Sequence, residues 1–398
     1  MSRDMQSKIT PLLLFAMATM MMGLYAGLYE PSFNNYLAQV HQVSEVTRGG
    51  LEFPRELPGF LVVFVLTLFL FLPDSRIATI SALLVGIALW GQGLLAPNLG
   101  TVVVWMLIWS TGSHLFMAIS APIGLRLALE GQEGKRLGQL ASMESLGTLL
   151  GMILVYFGAT HFHFSFAIIF GISGTCALIA AVLLFRIKSK PIYRKRQLIL
   201  KKKYTLFYLL NILFGARKQI FLTFAPWVLI KVFHADIGTF AILGFIGTVL
   251  ALFFRPFLGR AIDAWGEKII MSADSVLLIL ICIVYSFSET WFSHHTAMIM
   301  IMSCFIIDHL LFAVRIARTT YLNRILEEPN DLAPTISMGL TMDHAVSMIV
   351  PLGGGLLWAH FGYVPVFLAA AGIAVLNLIA SLSIPDRVTD HPTKEIAE

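Results

Sequence analysis

Apolar residues run in long blocks along nearly the whole chain, with short polar stretches between them. A helix rises about 1.5 Å per residue, so a block of about 20 apolar residues is long enough to cross a hydrocarbon layer about 30 Å thick. Twelve blocks meet this length, over 9–38, 46–72, 76–96, 101–127, 137–159, 164–186, 204–231, 237–260, 268–288, 296–322, 333–359 and 363–384. Each predicts one transmembrane helix, numbered here as spans one to twelve. In span two only Pro58 to Leu72 is free of charge, and fifteen residues rise about 22 Å, too little to cross. The helix therefore begins upstream and draws in Glu52, Arg55 and Glu56, whose spacing puts them on one face. The alternative is an interfacial loop ahead of a short re-entrant segment.

Composition agrees with this pattern. Hydrophobic residues fill 57% of the 398 positions and charged residues 13%, about half the charge of a soluble domain. The net charge of +5 does not point to nucleic acid, because the basic residues lie between apolar runs and form no basic face. They sort by side instead. The segment Arg186 to Lys203 holds nine of the 28 Lys and Arg. Taken with alternate loops and both termini it gives nineteen on one side, against Arg48 and Lys231 on the other. Basic loops stay in the cytoplasm, so both termini and the linker 187–203 are expected there, in a bacterial inner membrane. Trp90, Trp105, Trp227, Trp291 and Trp358 fall near the opposite helix ends, where an aromatic belt belongs. The first apolar run is too long for a cleaved signal. Cys176, Cys282 and Cys304 lie inside apolar runs without metal-ligand spacing and read as packing residues.

The linker separates two sets of six spans, 1–186 and 204–398, and the sets resemble each other. His114-Leu115-Phe116-Met117-Ala118 answers His309-Leu310-Leu311-Phe312-Ala313 at an offset of 195. Ser142-Met143-Glu144 answers Thr341-Met342-Asp343 at 199, and Asp74 answers Asp263 at 189. Three matches in order at nearly constant offset indicate a duplication.

After span eight the chain reads Gly259-Arg260-Ala261-Ile262-Asp263-Ala264-Trp265-Gly266-Glu267-Lys268. This resembles the loop signature of the major facilitator superfamily, Gly-x-x-x-Asp-x-x-Gly-x-Lys/Arg. The equivalent loop, Pro73-Asp74-Ser75-Arg76, keeps an acid and a base without the glycines. The resemblance implies the fold of that family: an all-α membrane protein of 12 transmembrane helices in two pseudo-symmetric six-helix bundles around a midplane substrate site reached alternately from either side. It also implies that Asp263, and less fully Asp74, stabilises the outward-facing state. Spans one, four, seven and ten would line the cavity, spans two, five, eight and eleven would flank it, and the rest would face lipid.

Intramembrane charge follows that division. Glu30 with Asn34 and Asn35 lies in span one, Glu52, Arg55 and Glu56 in span two, His114 in span four and Glu144 in span five. Arg217 and Lys218 lie in span seven, Asp308, His309, Arg315 and Arg318 in span ten, and Asp343 with His344 in span eleven. Facing lipid, these charges would cost roughly 30 kcal/mol on an insertion scale, so they line water or pair with one another. The first half is acidic and the second basic, which suits either cross-bundle gates or a substrate carrying both charges. On a continuous helix Asp308, Arg315 and Arg318 fall within roughly 80° of one face, and arginine forks suit a carboxylate or phosphate. Arg217 and Lys218 diverge by about 100°, so at most one points squarely into the cavity.

Asp308-His309, Asp343-His344 and Glu144 are the candidates for proton coupling, since intramembrane acids and histidines can exchange protons near neutral pH. Gly353-Gly354-Gly355 reads as a packing or hinge element, not a phosphate loop. No catalytic or metal-ligand constellation is legible and no cofactor is implied. The expectation is a monomeric, proton-coupled transporter of a small polar or anionic organic solute, with protons and membrane lipids as its other partners. Multidrug efflux is the alternative within the fold, and a non-transporting receptor or lipid scramblase the alternative outside it.

Overall fold

The computed structural model describes residues 3–69, 71–188, 200–328 and 331–386. Most of the linker lies outside these residues. Spans one, three, four, five and six are single helices, Arg3–Gln39, Asp74–Leu94, Leu99–Arg126, Glu133–Thr160 and Phe166–Phe185. Spans seven, eleven and twelve are Thr205–Lys231, Leu332–Phe361 and Val364–Leu382. With the broken segments below, the helices are consistent with twelve crossings, as the apolar pattern requires.

The breaks coincide with special sequence. Span two is built from Glu45–Gly50, Glu52–Phe60 and Val62–Thr67, so its helix does begin upstream of the charges. Spans eight and nine follow one another through Ile237–Trp291, divided at Gly266, where φ is 84° and ψ 163°. A side chain there would be strained, which gives the second glycine of the loop signature its physical reason. Span ten changes from α-helix, His294–Leu311, to a 3₁₀ turn, Phe312–Val314, and back to Arg315–Ile325. That turn alters the angular phase from which a shared face for Asp308, Arg315 and Arg318 is projected.

Five of the helices that start on the side away from both chain ends, here the far side, carry short polar caps. Ser44, Asn98, Ser165, Asp236 and Ser293 each accept a hydrogen bond from a backbone N–H of the first turn. Such caps satisfy donors that hydrocarbon could not.

Span one packs on spans five and six, and span three on spans four and six. In the second half, span seven packs on spans eleven and twelve, and the Ile237–Trp291 helix on spans ten and twelve. The two sets meet along spans two and eleven and along spans five and eight. Large apolar side chains such as Leu13, Val104, Ile179 and Phe253 are exposed on the outside, while Glu52 and Arg48 are fully buried. This inverts a water-soluble surface, as lipid demands. All three cysteines are free and buried.

Candidate functional site

The sets touch on their far-side halves. A Cβ on Gly49 of span two would lie 2.1 Å from the Pro351 carbonyl oxygen of span eleven, and one on Gly355 would lie 2.6 Å from that of Glu45. Only glycine lets these backbones meet so closely. Between spans five and eight the contacts also lie toward the far side, Met152 with Gly244 and Thr248, and Thr160 with Gly238. Nearer the chain ends, Glu144, Arg255 and Arg315 are exposed, and both arginines are electrostatic neighbours of Glu144.

Directly below the far-side seam lies a largely buried polar network. Glu52 is fully buried and accepts from Arg48 Nη1 at 2.5 Å, from Arg55 Nη1 at 3.4 Å and from Gln219 Nε2 at 2.6 Å. Arg48 Nε donates to Asn34 Oδ1 at 2.9 Å, and Arg55 reaches Glu30 at 3.5 Å. Glu30 itself stays 48% exposed, so it faces an accessible space within the bundle. The Gln219 bond crosses from one set of spans to the other. A second crossing is Glu56 Oε2 with His344 Nδ1 at 2.7 Å. His114 stands beside it, its ring 4.9 Å from that of His344.

In the second half, neighbours in sequence diverge. Arg217 pairs with Asp308 at 2.8 Å, and its guanidinium lies 5.3–6.0 Å from the Phe214, Phe221 and Phe312 ring centroids. Lys218 pairs instead with Asp343 at 2.6 Å, where Ser347 also donates at 3.1 Å. His309 is exposed and packs toward Gly247 of span eight, away from Asp308. Arg318 is buried with its guanidinium 3.6 Å from the Phe214 ring centroid, whereas Arg315 is exposed. The two arginines and Asp308 therefore do not form one row.

At the near end, Asp74 is buried and pairs with Arg126 at the end of span four. Arg76 donates to the Phe185 carbonyl at 2.8 Å. In the second loop Lys268 meets Asp386 at 3.0 Å, and Glu267 meets Arg324 at 3.6 Å. Gly259 faces open space and Asp263 is exposed.

Sequence reasoning missed Arg48, Gln219 and Arg255. Arg48 counts by position as an outer-loop cation, yet it lies four residues before Glu52, the helical ion-pair spacing. Gln219 extends the polar run Arg217-Lys218 inside an apolar block, and that run was the available signal.

The helical bundle, its lipid-facing exterior and its charged interior together define a multi-pass membrane protein of the transporter class. The chain belongs to the Major Facilitator Superfamily, whose family model matches residues 59–314 and 207–398. Among solved structures it is similar to a mutant form of the nucleoside transporter NupG, at 14% identity and a TM-score of 0.77, covering 94% of this chain and 100% of that one. It is similar to a D-xylose-proton symporter at 16% identity and 0.70, covering 95% and 98%. A bacterial homologue of the iron transporter ferroportin, in an inward-facing state, gives 13% and 0.73, covering 96% and 100%. Comparison with curated sequences gives no match.

Proposed function

We propose that the chain is a proton-coupled secondary transporter of a small polar or anionic organic solute, a monomer working by alternating access in a bacterial inner membrane. Residues 1–186 and 204–398 are the two moving bodies, joined by the linker 187–203, with both termini cytoplasmic. The observation that carries this reading is the Lys218–Asp343 pair, 2.6 Å long and little exposed, which joins span seven to span eleven, one of the spans along which the sets meet. Protonating Asp343 removes its charge and frees the Lys218 ammonium. A substrate anion can then take the place of the carboxylate, which links proton and solute binding without further machinery.

The near-side opening, lined by Glu144, Arg255 and Arg315, suits a polar solute better than a drug-sized apolar one, because each charge would oppose an apolar ligand. Two similar structures, a nucleoside transporter and a D-xylose-proton symporter, accord with a polar solute. In this reading the Glu52–Gln219 and Glu56–His344 bonds are the far-side gate and must break for the opposite state. Asp263 and Asp74, with Lys268 and Arg76, hold the near-side loops when that end closes.

A thermal-shift screen against metabolites identifies the solute, since a bound ligand raises apparent stability by mass action. Proteoliposomes with an imposed pH gradient then test the coupling. Asp343→Asn is expected to lose uphill accumulation yet keep solute exchange, which needs alternating access but no net proton movement. Arg315→Gln is expected to weaken binding by about 1.5–3 kcal/mol, the worth of a charge-assisted hydrogen bond. Wild-type accumulation by Asp343→Asn would overturn the assignment.

A further inference from the structure

Glu56, His114 and His344 come from spans two, four and eleven, yet each offers a ligand atom within 4.8 Å of the others. Their hydrogen bonds settle which atoms are available. His114 Nδ1 lies 2.9 Å from the Ser110 carbonyl oxygen, which can only accept, so the proton sits on Nδ1 and Nε2 carries a lone pair. His344 Nδ1 lies 2.7 Å from the Glu56 carboxylate, so the neutral ring keeps its proton on Nδ1 and offers a lone pair on Nε2. That atom is buried without any partner, and the residue is only 4% exposed. In the neutral ring that nitrogen is an unmet acceptor.

The backbone leaves room for a ligand. Gly59 stands one turn after Glu56, and a Cβ there would lie 2.6 Å from His114 Nε2 and 2.7 Å from His344 Cε1. Any other residue would occupy the space between the rings. Lys218 is an electrostatic neighbour of Glu56 and His114, but Asp343 matches its charge at 2.6 Å.

We propose that Glu56, His114 and His344 form a divalent transition-metal site, of the zinc class, that clasps the two sets of spans on the far side. Two imidazoles and a carboxylate suit zinc, cobalt or nickel, and do not suit magnesium or calcium, which prefer all-oxygen sets. The backbone carbonyl of Ser110 fixes one ring through its other nitrogen, as outer-shell partners of metal-bound histidines do. Zinc bonds of about 2.0–2.2 Å put ligand atoms about 3.3–3.5 Å apart, so binding replaces the 2.7 Å Glu56–His344 hydrogen bond by a bond from each residue to the metal. The cluster lies beside the contact of spans two and eleven and not in the near-side opening. The metal is therefore a clasp that holds the far side shut, and not cargo. This inference is independent of the proton-coupling proposal.

The test uses the full chain without a histidine tag, at fixed pH, with zinc or cobalt chloride as the probe. One equivalent is expected to bind, with cobalt giving visible absorption bands from mixed nitrogen and oxygen ligation. His114→Gln and His344→Gln are each expected to weaken binding by more than the ~10–100-fold that loss of an outer-shell partner costs, while His163→Gln and His234→Gln, at exposed loop positions, leave it unchanged. Gly59→Ala is a second route to the same loss that keeps every ligand in place. Zinc is also expected to narrow the distance distribution between spin labels at His161 and Asp236. Equal binding by wild type and His114→Gln would overturn the site. A label distance indifferent to zinc, or zinc accumulation inside liposomes, would overturn the clasp.

Discussion

Arg217 and Asp308 meet at 2.8 Å with side chains only 3% and 8% exposed, and the guanidinium Nε and Nη1 have no hydrogen-bond partner. Phenyl rings lie around the rest of the group, so its direct hydrogen bonding rests on a single carboxylate. Removing one member of such a pair strands the other, at about 3–5 kcal/mol. Asp308→Asn is therefore expected to lower thermal stability by that order, and adding Arg217→Gln is expected to recover most of it. Detergent-solubilised variants followed by thermal unfolding check this; a double variant no better than the single would contradict the pairing. Asp343→Asn should be milder, because Lys218 keeps 15% exposure and can reach water. The presence of these charges was legible in the sequence, since a charge inside an apolar block stands out. Their partners were not, because Arg217 meets Asp308, and Lys218 meets Asp343, across more than ninety positions. Sorting cations by loop also misleads at Arg48, which lies near a helix start yet turns fully inward to Glu52.

In the proposed transport cycle, whole elements carry the gate. The seam between spans two and eleven depends on Gly49, where a Cβ would sit 2.1 Å from the Pro351 carbonyl oxygen. Backbone cannot yield there as a flexible side chain would, so Gly49→Leu is expected to part the helices and favour the far-side-open state. Spin labels at Gln42 and Phe361 should separate relative to wild type; an unchanged distance would contradict the seam. At the near end, the start of span eleven is held by Asp331, which accepts from Lys201 Nζ at 2.6 Å and Tyr204 Oη at 2.5 Å. Lys201 and Tyr204 hold its carboxyl below the usual aspartate range. A carboxyl lowered in the fold stabilises it above its unfolded value of about 3.9 and loses that effect as pH falls through the folded value. Hydrogen exchange over residues 202–206, corrected for its intrinsic pH dependence, should accelerate as pH drops below about 4. In Asp331→Asn it should be fast at pH 5 too. Spans were legible from length alone, to within a few residues at most ends. The 3₁₀ turn Phe312–Val314 was not, because a phase change within an apolar helix leaves no mark in hydropathy.

At the scale of the whole molecule, the contact between the two sets is uneven. Met152, Thr160, Gly238 and Gly244 join spans five and eight on the far side, while Glu144 and Arg255 of the same two spans are exposed nearer the chain ends. The loop signature and the internal repeat made the family readable, because they are local patterns repeated at nearly constant offset. Which end is closed could not be read, since both states use one sequence. If alternating access coupled to protons is the function, the ends must open reciprocally and Asp343 must bias them. The most direct measurement is pulsed electron resonance on two label pairs in lipid nanodiscs, Gly134 with Arg260 at the near end and His161 with Asp236 at the far end. Lowering pH or adding the solute should lengthen one pair as it shortens the other, and Asp343→Asn should hold one distribution at every pH. Two distances that stay fixed across pH and solute, in wild type and variant alike, would contradict it.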